Sequence, residues 1–299
     1  MAVSHAVVSP FDLTPIRALY PFRTARLPLE RGTLSYVDEG TGGPPALLVH
    51  GNPTWSFYFR HLIAGLAPQR RVVVPDHMGC GLSDKPQDYP YTLATHITNL
   101  ERLVDHLELP QVDLVVHDWG GAIGMGWAVR HPERVRRIVV LNTSAFLSPR
   151  IPWRIAISRY PVFGDVAVRG LNAFAVAATH MAVVRPLAPA VRQGYLLPYD
   201  SWANRVAIQR FVRDIPMHPR HPTWALVDAI DRELPTLRTK PMLILWGGQD
   251  WCFSDHFLAG WMQRFPAAEV VRFDHAAHYI LEDAHEDVVP RVVRFFASR

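Results

Sequence analysis

With 299 residues, 49% hydrophobic and 19% charged, the chain can bury a sizeable core and has an ordinary globular composition. Its net charge of +4 comes almost wholly from arginine, Lys85 and Lys240 being the only lysines, and no basic run with interleaved aromatics supports a nucleic-acid role. The longest apolar stretch, 173–184, is broken by Thr179 and His180 and is too short to span a bilayer, so membrane contact is at most peripheral.

Residues 1–10 lack the basic start and apolar centre of a signal peptide. Two strand–helix stretches then flank a middle of different composition. In the first, short Val/Ile/Leu runs over 46–50, 72–75, 112–117 and 135–141 alternate with helical patterns over 56–66, 94–107 and 121–130. That alternation predicts an α/β fold, a mostly parallel sheet with helices on both faces. From 146 to 237 strand-like runs disappear and prolines recur from Pro149 to Pro222, as in short helices broken by proline. Strands resume over 242–246 and 270–273, with helices over 255–264 and 286–296. We therefore read 1–145 and 238–299 as two parts of one core and 146–237 as an inserted helical cap. Ligands of open parallel sheets bind outside the carboxyl ends of the strands, where such a cap would roof the site.

The strand over 112–117 runs into Asp118, followed by Trp119, Gly120 and Gly121. A β-branched strand, a reactive side chain, glycines and then a helix form a nucleophile elbow, here with a carboxylate where serine is usual. Asp250 follows a strand that leaves through Gly247 and Gly248, and His278 lies just past the last strand. Asp118, Asp250 and His278 thus stand in the order nucleophile, acid, base, in which the acid fixes the histidine tautomer. His275 competes with His278 for the base, and Asp255 is a weaker rival of Asp250. Asn142, at the end of the strand before the cap, is not an acid.

His50-Gly51-Asn52-Pro53-Thr54-Trp55 follows an earlier strand and occupies the oxyanion-hole position. Asn52 and Trp119 each add a side-chain N–H donor there, suited to a leaving anion. His50 is expected to bond loop backbone, and His117 to point away from Asp118 because successive strand residues face opposite sides. A carboxylate that attacks an ester carbonyl gives a mixed anhydride, a poor route to ester hydrolysis. Attack on an alkyl carbon gives a stable ester instead. Alkyl halides, epoxides and strained cyclic esters are the candidate substrates.

The combination HGNPTWS (50–56), PDHMGCGLSDKP (75–86) and VVHDWGG (115–121) resembles the haloalkane dehalogenase branch of the α/β-hydrolase superfamily. In that branch an aspartate is the nucleophile and Asn with Trp holds the departing halide, which by position implies Asp118, Asn52 and Trp119. The segments GYLLPYDSWANR (194–205) and FVRDIP (211–216) resemble the β-lactone decarboxylases of bacterial long-chain olefin biosynthesis. This resemblance implies conversion of a cis-3,4-dialkyl β-lactone to a cis-olefin and carbon dioxide, beside other enzymes of that pathway. The apolar run over 171–184 suits a long-chain substrate, or else packing on the core. The alternatives are a haloalkane dehalogenase using the same residues, an epoxide hydrolase drawing on Tyr160, Tyr195 or Tyr199, and a ligand-binding scaffold without catalysis. Cys80 and Cys252 have neither a disulfide-framework nor a zinc-ligand spacing and are expected as buried free thiols. A cytoplasmic protein with no cofactor and no metal is expected.

Overall fold

The computed structural model describes residues 11–298 apart from Pro161 and Phe163. The stretch 1–10, read above for a signal peptide, lies outside them. One eight-stranded sheet organises the molecule. Its strands are β1 (Thr24–Leu29), β2 (Gly32–Glu39), β3 (Ala46–Val49), β4 (Val72–Pro75), β5 (Val112–Asp118), β6 (Val135–Thr143), β7 (Met242–Gly247) and β8 (Glu269–Phe273). They lie in the order β1-β2-β4-β3-β5-β6-β7-β8. Only β2 runs against the others.

The six Val/Ile/Leu runs are β3 to β8. β3, β4, β5 and β7 are buried along their whole length, which explains their unbroken apolar character. Within each, alternate side chains feed opposite faces. Leu114 and Val116 join one core layer and Val115 the other, as Leu47 and Val49 do against Leu48. The first layer is covered by α2 (Leu93–His106), α3 (Trp119–Ala128) and α9 (Asp255–Arg264) through Ile97, Ile123 and Trp261. The second is covered by α1 (Arg60–Leu66) and α11 (His285–Ala297) through Leu62, Val288 and Val292. The β1–β2 hairpin was not expected from the sequence.

Between β6 and β7 the regular elements among the described residues are all helical: α4 (Trp153–Ile157), a π-helical turn (Asp165–Gly170), α5 (Ala173–Met181), α6 (Pro189–Leu196), α7 (Val206–Arg213) and α8 (Trp224–Glu233), with short 3-10 turns among them. α5 carries the apolar run noted above. Ala175 and Thr179, one turn apart, are buried, while Phe174 and Ala178 face the cleft described below. Leu171 and Val184 at its ends are exposed, so the run is not enclosed on every side. No helix among the described residues is long and apolar enough to cross a membrane. α10 (Ile280–Asp283), a single turn before α11, is tied to α1 by a buried ion pair in which the two terminal guanidinium nitrogens of Arg60 reach the Glu282 carboxylate, at 2.5 and 2.7 Å. The Tyr195 hydroxyl on α6 donates to the same carboxylate.

Candidate active site

β5 ends at Asp118, which holds φ 51° and ψ −127° as the chain turns abruptly into α3. So sharp a turn leaves no room beside it. A Cβ on Gly120 would lie 1.9 Å from the carbonyl oxygen of Val49, and one on Gly121 1.9 Å from Oγ1 of Thr143. Positive φ in a residue other than glycine is strained and persists only when its surroundings fix it. Here the Thr143 hydroxyl on the neighbouring strand donates to the Asp118 carbonyl.

The carboxylate of Asp118 is buried between two partners. Its Oδ1 accepts the backbone N–H of Asn52 at 2.6 Å, and its Oδ2 lies 3.6 Å from Nε2 of His278. The other imidazole nitrogen, Nδ1, donates to Oδ2 of Asp250 at 2.8 Å. Asp250 is fixed in turn. Its Oδ1 accepts the backbone N–H groups of Cys252 and Phe253, at 2.7 and 3.0 Å. Burial disfavours a charged His278. The Asp250 carboxylate, together with Asp118, outweighs that penalty and raises the imidazolium to about 10. The rivals lie elsewhere: His275 is exposed, and Asp255 pairs with Arg272.

Asn142 contributes although its identity ruled it out as the acid. Its Nδ2 donates to Oδ2 of Asp250 at 3.0 Å and to the Gly247 carbonyl at 3.1 Å, and its Oδ1 accepts the Gly247 N–H at 2.8 Å. The side chain therefore locks the end of β7 and Asp250 together. Asking only whether position 142 could supply an acid hid this role; an amide at a strand end beside the expected acid was the available signal.

Asn52 and Trp119 both border the cleft above Asp118. The Asn52 amide nitrogen donates to the Ile208 carbonyl of α7 at 3.2 Å, which commits one of its two N–H groups. The half-buried Trp119 indole N–H has no hydrogen-bond partner among the described residues and is free for a ligand. The backbone N–H of Asn52 is held by the Asp118 carboxylate. His50 bonds loop backbone: its Nδ1 donates to Gly51 O at 2.7 Å and its Nε2 accepts the His77 N–H at 3.0 Å. His117 turns away from Asp118, stacking on Tyr58 and donating from Nε2 to the His278 carbonyl at 2.9 Å. Burial drives the pKa of both histidines well down, leaving them neutral.

The cleft opens to solvent. Its floor is Asp118, Asn52, Trp119 and His278. Its walls are Phe146, Leu147, Ile151, Ile155, Phe174, Ala178, Val212, Ile215, Val227, Trp251, Phe253 and Phe257, nearly all apolar. Cys252, expected as a buried thiol, instead borders the cleft and is half-buried, whereas Cys80 is buried. None of Tyr160, Tyr195 and Tyr199 lines the cleft: Tyr160 is exposed, Tyr195 is bound to Glu282, and the Tyr199 hydroxyl donates to Thr54 O. The cap tyrosine pair on which an epoxide hydrolase relies is therefore missing from the described cleft.

Comparison with known proteins accords with this arrangement. The chain is 44% identical to a cis-3-alkyl-4-alkyloxetan-2-one decarboxylase of Xanthomonas campestris pv. campestris, over 94% of this chain and 97% of that protein. It is 46% identical to a protein of the same name from Shewanella oneidensis, over 94% of this chain and 90% of that protein. Among solved structures, a haloalkane dehalogenase from Agrobacterium tumefaciens C58 superposes with a TM-score of 0.84 at 27% identity, covering 94% of this chain and 98% of that one. Residues 44–285 match the family defined by the alpha/beta hydrolase fold. Sheet order, elbow and sequence agree, and the chain belongs to the α/β hydrolase fold family.

Proposed function

We propose that this protein is a decarboxylase of cis-3-alkyl-4-alkyloxetan-2-ones, converting the β-lactone to a cis-olefin and carbon dioxide. The observation that carries the reading is the 44–46% identity, over 94% of the chain, to two proteins bearing that name. The cleft supports it. Its apolar walls and open mouth suit two alkyl chains flanking a small polar ring. The helical segment 146–237 supplies much of those walls and acts as the cap.

Asp118 is the nucleophile. Its carboxylate attacks C4 of the lactone, the C4–O bond breaks, and the ring oxygen departs as a carboxylate. The second N–H of Asn52 and the indole N–H of Trp119 receive that anion. The C3–carboxylate bond then breaks, its electron pair forms the C3=C4 double bond, and the bond between C4 and the Asp118 oxygen breaks to restore the nucleophile. Atoms balance without water. Inversion at C4 sets the ester oxygen anti to the carboxylate, so anti elimination converts a cis lactone to a cis olefin without rotation.

His278 serves this scheme as a cation. Asp250 and Asp118 hold it charged in the resting site, and the scheme asks it to hold that charge, not to activate water against the ester. Product analysis tests this: olefin and carbon dioxide are expected in equal amounts with no β-hydroxy acid. Accumulation of the β-hydroxy acid would overturn the reading.

A further inference from the structure

The rim of the cleft has an outward face of unusual composition. α4 turns Ile155 into the cleft, while Trp153 and Ile157, one turn apart, stand outside at 69% and 39% exposure. Tyr160, Val166 and Leu171 are exposed beyond it, and Trp202 stands beside Val166 across Gly170. Of the nine large apolar side chains exposed among the described residues, all but Met262 fall between Trp153 and Trp202. Single exposed apolar residues are ordinary, but concentration in one region marks an interaction surface.

Charge is concentrated in the same place. Residues 146–185 hold five arginines and one aspartate, an excess equal to the net charge of +4 of the whole chain. Asp165, the single acid, is engaged by Arg213 and Gln209. Arg150, Arg154 and Arg159 have no carboxylate partner among the described residues, and Arg154 lies over the rings of Trp153 and Trp251. Trp251 and Arg150 border the cleft, so the patch and the cleft mouth are continuous.

We propose that this face docks on an anionic lipid surface, with the cleft mouth turned towards the acyl phase. Aromatic and aliphatic side chains interleaved with unpaired arginines match an interface in which apolar groups enter the headgroup boundary and guanidinium groups meet lipid phosphates. Access to the cleft favours lipid over a protein partner. A protein seated here would cover the mouth, whereas a bilayer offers anionic headgroups and an apolar phase continuous with the cleft. Substrate entry from that phase rests on the lactone reading above; docking itself does not.

Co-sedimentation with vesicles tests the proposal without substrate. The protein should pellet with phosphatidylcholine–phosphatidylglycerol vesicles and not with phosphatidylcholine alone, and be released by about 1 M salt, where the Debye length falls to about 3 Å. The variant Trp153→Ser/Tyr160→Ser/Leu171→Ser and the separate charge reversal Arg154→Glu should each lose binding at least about tenfold. Both should keep wild-type turnover of detergent-dispersed lactone. Wild-type protein that stays in solution with anionic vesicles, or variants that pellet as it does, would overturn docking. So would a change in oligomer size with the patch variant, which would assign the face to a second copy. If docking depends on the patch while no protein turns over lactone, the proposed reaction fails and the docking surface stands.

Discussion

Nε2 of His278 lies 3.6 Å from Oδ2 of Asp118, a charge contact longer than a hydrogen bond, while Nδ1 of the same ring is hydrogen-bonded to Asp250. Asp118 thus faces a cation held by a second carboxylate. In this family fold the same three side chains could serve hydrolysis or elimination. What separates the two is whether the imidazole is free to take a proton once Asp118 is alkylated.

Asp118→Asn should lower lactone turnover by more than about 10³-fold, because the amide is no nucleophile. Substrate binding measured with a non-reactive analogue should change little. Retained turnover would remove Asp118 from the chemistry.

The raised His278 makes a prediction about stability. Histidine titrates near about 6.5 in the unfolded chain and at about 10 here. Its contribution is therefore complete below about 6.5 and is lost as pH rises through about 10. Denaturant midpoints of the wild type should fall over that window, and those of His278→Gln should fall less. Turnover should likewise decline near the upper end of the window.

Asn142 is a positioning residue. Asn142→Ala removes a hydrogen bond to a charged group, of order 1.5–3 kcal/mol, and should lower kcat about ten- to a hundredfold with KM nearly unchanged. Asn142→Asp would set a second carboxylate against Asp250 and shift the pH profile, which simple loss of packing would not do.

Arg60 and Glu282 are both buried, at 5% and 6% side-chain exposure, so removing one partner leaves an unpaired charge. Glu282→Ala should cost about 3–5 kcal/mol in denaturant unfolding, and the double replacement Arg60→Met/Glu282→Leu much less.

Ala178 lines the cleft on α5, opposite the nucleophile end of the sheet. Ala178→Trp should raise KM for long-chain lactones and spare short-chain ones, measured as the ratio of kcat/KM for the two.

The sheet was legible in the sequence where it is buried on both faces. β3 to β7 read as continuous Val/Ile/Leu runs because both sides of each strand pack against helices. The β1–β2 hairpin escaped notice because β1 is largely half-exposed and carries Pro28, and the pair lies at the sheet edge. The elbow was legible for a different reason. Its geometry is local, and Gly120 and Gly121 follow from crowding around Asp118 within a few residues of it. The cleft walls were not, since Phe174, Val212 and Val227 meet Phe253 only through the path of the cap. Asn142 was read for what it could not be, an acid, and its hold on Asp250 depends on β6 and β7 lying side by side.

Giving purified protein a cis-3,4-dialkyl β-lactone and, separately, a 1-bromoalkane of similar length separates decarboxylation from halide hydrolysis. A decarboxylase yields cis-olefin with an equal amount of carbon dioxide from the lactone and no appreciable bromide from the haloalkane. Steady bromide release with no olefin from the lactone would make the protein a dehalogenase instead.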